Sequence, residues 1–334
     1  GVSIPPVVGS NLIVFVADDG EATAITRRGE KVWSRGVGID REVVTNKMAR
    51  VGRFATPPIL VRDAVLTGSN DGWLYALEAS SGKTRWKYKV GESLNGTANW
   101  IEREGERGDS IVVISQEEGS VHRVDLATGN AIWVSRSAAR SDGSPGVGRS
   151  FVAFGGCDAA LHFLSISNGE VLGSVGLESD GQVAGGVAVS GDQVFAGTRG
   201  GMIVCADAMK NIILWTNQTA KGEAFATPAV TSNRIVVGSN DGFVYCLDRI
   251  DGRTLWSFRT GDNVLSPAVA GDKVVVSSGG TIFVLKLKDG SKLWDSKAGD
   301  LVSSPAVVEG GLIIGTDDGF VIMYGDAINP SPAR

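Results

Sequence analysis

The sequence predicts an all-β protein, an eight-bladed β-propeller of four-stranded antiparallel blades whose last blade lacks a regular outer strand. Three observations carry this. A turn position recurs at Gly20, Gly72, Gly119, Ala159, Gly201, Gly242, Gly280 and Gly319, at intervals of 38 to 52 residues, so that eight units fill the chain. Trp33, Trp86, Trp133, Trp215, Trp256 and Trp294 return thirteen or fourteen residues after that position. The segments between are strand-like, and strand repeats of about 40 residues mark propeller blades. A seven-bladed ring of another class is the competing architecture.

Because the repeat runs from end to end, residues 1–334 are expected to form a single domain. Its blades are expected at about 4–37, 55–90, 97–137, 144–177, 183–219, 226–260, 265–297 and 303–325. Blade six gives the template, with strands A to D at 227–230, 234–238, 243–247 and 254–258. Asn240-Asp241-Gly242 and Asp251-Gly252 supply the B–C and C–D turns, since these residues accept positive φ. Strands B and C are apolar nearly throughout, as expected where both faces of a blade are covered by neighbours. The tryptophan of strand D is expected to wedge between successive blades, with Gly173 replacing it in blade four.

The end of blade eight departs from the pattern. Its tryptophan position falls at Ala333, between prolines that oppose a regular strand. Residues preceding Gly1 in the native protein are expected to complete that blade. No signal peptide is expected within this chain, any leader of the precursor having been removed, and no apolar run is long enough to span a bilayer. A net charge of −5 weighs against a general nucleic-acid binder. Cys157, Cys205 and Cys246 suit buried thiols rather than a disulfide framework, because equivalent positions in adjacent blades are too far apart to bridge.

The segments Ala76-Leu77-Glu78-Ala79-Ser80-Ser81-Gly82-Lys83-Thr84-Arg85-Trp86 and Val124-Asp125-Leu126-Ala127-Thr128-Gly129-Asn130-Ala131-Ile132-Trp133 resemble the repeat of quinoprotein-like propellers, the family named for pyrroloquinoline quinone. The resemblance covers essentially the whole chain and implies the fold. Within that family the chain is most similar to the noncatalytic branch, the outer-membrane assembly lipoproteins. This implies a protein-binding scaffold, an extracytoplasmic location in the periplasm or at the cell surface, and a partner held by the inter-blade loops. A quinone-dependent dehydrogenase would need an adjacent cysteine pair over the cofactor and large insertions around the substrate, and the sequence has neither. No cofactor, no metal and no catalytic residue is therefore expected, and the chain is expected to be a monomer. The competing functions are a ligand-sensing ectodomain of a larger membrane protein and a quinone-dependent dehydrogenase.

His122 and His162 fall where other blades place Tyr75, Tyr245 and Phe283, with no cysteine or carboxylate at ligand spacing, so they read as packing residues. The B–C turns share a face with the D-to-A crossovers, and acidic residues recur on both, which makes one face negative. Many of those acids also suit turn geometry by themselves. The candidate partner-binding residues lie on this face. They are the acids Asp71, Asp241 and Asp318, the aromatics Trp73, Phe243 and Phe320, and Arg41, Lys47, Arg50 and Arg53 of an enlarged crossover between blades one and two. A second insertion, 102–109, lengthens the A–B hairpin of blade three on the opposite face and reads as solvated.

Overall fold

The computed structural model describes residues 1–36, 52–102, 108–117, 119–136, 140–178 and 180–325. Blade one holds β1 (Val7–Val8), β2 (Leu12–Val16), β3 (Ala22–Thr26) and β4 (Lys31–Arg35), and blade two β5 (Ile59–Val61), β6 (Ala64–Gly68), β7 (Trp73–Glu78) and β8 (Thr84–Lys89). Blade three holds β9 (Asn99–Ile101), β10 (Ser110–Ile114), β11 (Ser120–Asp125) and β12 (Ala131–Arg136), and blade four β13 (Gly146–Val147), β14 (Phe151–Gly155), β15 (Ala160–Ser165) and β16 (Val171–Gly176). Blade five holds β17 (Ala188–Ser190), β18 (Gln193–Gly197), β19 (Ile203–Asp207) and β20 (Ile212–Asn217), and blade six β21 (Ala229–Val230), β22 (Arg234–Gly238), β23 (Phe243–Asp248) and β24 (Thr254–Arg259). Blade seven holds β25 (Ala268–Ala270), β26 (Lys273–Ser278), β27 (Thr281–Lys286) and β28 (Lys292–Lys297), and blade eight β29 (Ala306–Val308), β30 (Gly311–Gly315) and β31 (Val321–Gly325).

All eight sheets are antiparallel meanders, and among the described residues the eighth has three strands. The proline-containing segment read as opposing a fourth strand lies outside the described residues. Inner strands of neighbouring blades lie side by side, and β29 meets β1 to close the ring. At that seam the Val2 amide donates to the Thr316 carbonyl at 2.7 Å, as Val264 does to Ser239 and Val302 to Gly279 at other seams. Residues 1–3 thus act as the crossover into blade one. The Ser3 amide donates to the Asp18 carboxylate at 3.0 Å, which fastens this segment to the first B–C turn.

The core lies between blades. Every residue of β6, β10 and β14 is buried, as the continuous apolar runs of these strands require when both faces are covered. One cluster combines Val14, Val16 and Trp33 of blade one with Val65, Tyr75 and Leu77 of blade two. Another combines Phe151, Leu161 and Phe163 of blade four with Val194 and Val204 of blade five.

Each outer strand carries a bulge at one recurring place. The register slips between Ala24 and Ile25, Ala76 and Leu77, and Cys246 and Leu247, and at the equivalent points of blades three, four, five and seven. The extra residue is the one before the tryptophan, and it is Val32, Ile132, Leu172, Leu214, Leu255 or Leu293 in six blades, each exposed. A bulge re-aims the side chain that follows it. Here it turns the indole inward against the next blade.

The indoles dock in one way. Trp33, Trp86, Trp133, Trp215 and Trp256 donate Nε1–H to the carbonyls of Ala79, Leu126, Ile166, Arg249 and Leu287 at 2.7 to 3.0 Å. Each ring lies on the C–D turn glycine of the following blade. A Cβ added at Gly252 would sit 2.4 Å from Trp215, and Gly252 has φ +72°, so both space and backbone demand glycine.

Blade four inverts the arrangement. Gly173 stands where the indole would be, and the following turn carries Asn211 instead of glycine, at φ 54°. The Asn211 amide fills the vacated slot, 2.0 Å from where a Gly173 Cβ would lie, and Nδ2 reaches the Leu172 carbonyl at 3.5 Å. Two residues 38 positions apart have been exchanged together.

Gly252→Ala should lower stability by about 3 kcal/mol through backbone strain and displacement of the indole, read as a shift in the denaturation midpoint. Gly173→Trp combined with Asn211→Gly should be more stable than the sum of the single changes by about 1–3 kcal/mol. A double-mutant cycle returning no coupling would contradict the exchange.

Candidate partner-binding face

The B–C turn glycines face the crossovers of their own blades. The Val90 amide donates to Gly72, Thr260 to Gly242 and Ala298 to Gly280, each at 2.9 Å. Turns and crossovers therefore form one rim, as the up-and-down connectivity demands.

The acidic candidates are spent on building the turns. Asp71 accepts the Ser69 hydroxyl at 2.5 Å, and Asp318 accepts the Thr316 hydroxyl. Asp241 accepts the Tyr245 hydroxyl at 2.7 Å, the Lys221 amide at 2.8 Å and the Phe243 amide at 3.1 Å. Such carboxylates already have donors and serve mainly as Asx-type braces. The negative face is also partly neutralised. Arg140 pairs with Glu117 and Asp142 at 3.4 and 3.0 Å, Arg199 with Glu223 at 3.9 Å and Lys297 with Asp300 at 3.7 Å.

The aromatic candidates differ among themselves. Trp73 is half-buried beneath the ammonium groups of Lys87 and Lys89, 4.9 and 5.6 Å from its ring. Phe243 is half-buried and stacks on Tyr245 at 5.9 Å. Phe320 is 62% exposed and is the aromatic that presents free area. The structure adds two residues that the sequence reading missed, Leu301, 60% exposed, and Leu265, 37% exposed, both on crossovers. Each adjoins a buried valine, Val302 or Val264, and an apolar residue next to that anchor in a polar segment was the available signal.

Arg53 lies on the rim, its Cβ over Gly20 and its amide donating to Asn70 Oδ1 at 2.9 Å. Arg41, Lys47 and Arg50 lie outside the described residues. Between blades four and five the same rim holds a cleft of about 290 Å³ lined by Glu178, Asp180, Thr198, Met202 and Gln218.

The histidines are structural. His122 is buried, with Nδ1 2.9 Å from the Tyr88 hydroxyl and Nε2 2.9 Å from the Ser120 hydroxyl. Burial pushes its pKa down to about 4, so it is neutral. His162 stacks on Phe154 at 5.1 Å. Against the sequence reading, it does have a carboxylate partner, since Asp158 lies 3.0 Å from Nε2. The C strand's turn brings position 158 back over position 162, which spacing for metal ligands does not reveal. Among the described residues no group of three or more His, Cys, Asp or Glu side chains is arranged to hold a metal. Cys205 and Cys246 are free and buried, and burial raises their thiols to about 12 and about 11, leaving them unreactive.

These features define a class: a tryptophan-docked quinoprotein-type propeller whose crossover rim is built of braced polar turns and carries a few exposed apolar residues, Phe320, Leu301 and Leu265. A family model described as outer membrane protein assembly factor BamB matches residues 1–135 and 117–327, and the chain belongs to that family. Curated relatives carrying the same name come from Pseudomonas aeruginosa, 26% identical over 53% of this chain and 44% of that protein, and from Shewanella oneidensis, 24% identical over 57% and 45%. In these matches the chain spans less than half the length of the curated relatives. The crystal structure of BamB from Moraxella catarrhalis superposes with TM-score 0.76 at 17% identity, covering 98% of this chain and 95% of that one. The computationally designed Ika8 protein superposes at TM-score 0.78 and 18% identity, covering 98% and 97%. At these identities the two structures establish the fold.

Because His122 titrates near 4 when folded and at 6.5 when unfolded, the unfolded chain binds more protons between these values. Stability should be full above pH 6.5 and fall by about 3 kcal/mol as pH drops to 4. Denaturation at pH 7.5 and pH 4.5 should show this loss, and His122→Phe should flatten it.

Proposed function

We propose that this chain is a noncatalytic scaffold, monomeric and extracytoplasmic, that holds a protein partner against its crossover rim in outer-membrane protein assembly. The observation that carries the reading is the exposure of Phe320, Leu301 and Leu265 on one sector of that rim, in blades seven and eight. Apolar side chains on a rim otherwise built of polar turns offer area that a partner can desolvate. Family membership supports the reading, because the relatives are named as assembly factors. Arg53, Trp73 and Phe243 serve as secondary contacts, and Arg41, Lys47 and Arg50, outside the described residues, are assigned to the same binding role from the sequence. Asp71, Asp241 and Asp318 act indirectly by shaping the turns.

A photo-crosslinking residue placed at position 320 or 301 should capture one defined protein in cells, while the same residue at Val134, exposed on the outer strand of blade three, should not. Phe320→Asp should weaken partner binding by about 1–3 kcal/mol, whereas added salt should change it only modestly because the nearby acids already have donors. Adducts formed at position 134 alone would refute the assignment. Calorimetric titration with pyrroloquinoline quinone and calcium should give no saturable heat; saturable binding would move the protein to the dehydrogenases.

A further inference from the structure

A different surface departs from the repeat more sharply than the rim does. The outer strands of a propeller are open sheet edges, and proteins guard such edges with charged side chains. Here β4 carries Lys31 and Arg35, β8 carries Arg85, Lys87 and Lys89, β12 carries Arg136, β24 carries Arg259, and β28 carries Lys292 and Lys297. In contrast, β16 reads Val-Leu-Gly-Ser-Val-Gly and β20 reads Ile-Ile-Leu-Trp-Thr-Asn, with no charge in either. The two unguarded strands are neighbours, and they flank the seam where Gly173 and Asn211 replace the indole and its glycine.

The exposed bulge residues Leu172 and Leu214 belong to the general plan. What is particular to this seam surrounds them. Two residues before the tryptophan position, other blades place Lys31, Thr84, Ala131, Thr254 and Lys292, and these two blades place Val171 and Ile213. Val171 is 63% exposed, and Met209 and Ile212, on either side of the Asn211 that meets Gly173 across the seam, are exposed too. Gly176 ends β16 with open space where a Cβ would point, and Ser174 is small and exposed. The result is a low sheet edge whose strand carries no charge, preceded by the exposed Glu170 and flanked by Met209 and Ile212, with Lys210 between these two drawn to Asp207 at 3.1 Å.

The geometry points to the free edge of β16 as a strand-addition site that accepts an extended, uncharged segment of another polypeptide, with alternate apolar side chains lying against Val171, Leu172 and the Met209–Ile212 flank. Main-chain hydrogen bonds give such pairing its affinity, and the side chains on one face give it selectivity. The charge pattern selects the occupant. An uncharged strand meets no cation at β16, whereas at every other complete blade except blade five it would have to desolvate a lysine or arginine. This site lies on the perimeter and is independent of the rim assigned above.

The test uses the whole chain with an end-capped, uncharged ten-residue peptide that alternates threonine and valine, and a matched peptide with lysine at every threonine. Binding of the uncharged peptide should slow amide exchange at least tenfold within 171–176, and the lysine peptide should not bind. Val171→Lys with Ser174→Lys installs what blades one, two and seven already carry at the same positions, as Lys31, Lys87 and Lys292, so the fold has precedent for both. That variant should bind the peptide at least tenfold more weakly at an unchanged melting temperature, and Ser174→Lys alone substitutes if the double variant fails to fold. Phe320→Asp should leave peptide binding unchanged, which separates this site from the rim. Protection appearing on another strand, or equal affinity in the lysine variant, would overturn the proposal. So would a dimer in sedimentation that the lysine variant dissociates, because the occupant would then be a second copy of this chain.

Discussion

The docking of five outer-strand tryptophans onto the glycine of the next blade's C–D turn is the interaction on which the rest depends. A single four-stranded blade cannot cover its own two faces, so its stability must come from neighbours. The indole makes that dependence specific. It brings one of the largest apolar surfaces available, of order 150–250 Å², and its ring nitrogen meets a carbonyl of the adjacent blade. Trp215, for example, lies on Gly252 and bonds Arg249. The partner glycines, at positive φ and without a Cβ, leave the space that this contact needs.

Function is displaced to wherever this plan is indifferent. The turn acids look available in a linear chain, yet Asp71, Asp241 and Asp318 are occupied by hydroxyl or amide donors of their own turns. The buried His122 imidazole is held neutral between two hydroxyls. Exposed apolar side chains are spread over the outer strands and the C–D turn at Ile250, and two groups of them depart from the repeat. One is the crossover sector around Phe320 and Leu301, and the other is the edge of blades four and five.

The seam between blades four and five shows how a repeat tolerates specialisation. Loss of an indole would leave a cavity costing several kcal/mol if nothing filled it. The amide of Asn211 fills it instead, in a turn conformation that asparagine accepts more readily than most residues. The exchange keeps the ring intact while removing the feature that makes the other seams alike. Ring closure is equally economical, since Val2 repeats at the Thr316 carbonyl the bond that Val264 and Val302 make elsewhere.

Periodic features were legible in the sequence because each arises from contacts within about forty residues. The eight turn positions, the both-faces-buried B and C strands, the glycine turns and the indole position all repeat, and the strands drawn at 234–238 and 243–247 coincide with β22 and β23 to within a residue. The sequence also determined that Trp73, Phe243 and Phe320 share a face, because that follows from connectivity alone. Only the tertiary structure decided which of them is free, since exposure depends on what another segment lays across a side chain: two lysines over Trp73, Tyr245 against Phe243 and nothing comparable over Phe320. The pairing of His162 with Asp158, the substitution of Asn211 for an indole and the adjacency of two uncharged edges were likewise settled in space. Each joins residues whose meeting depends on how blades pack or how a turn folds back, and residue type by itself does not encode it.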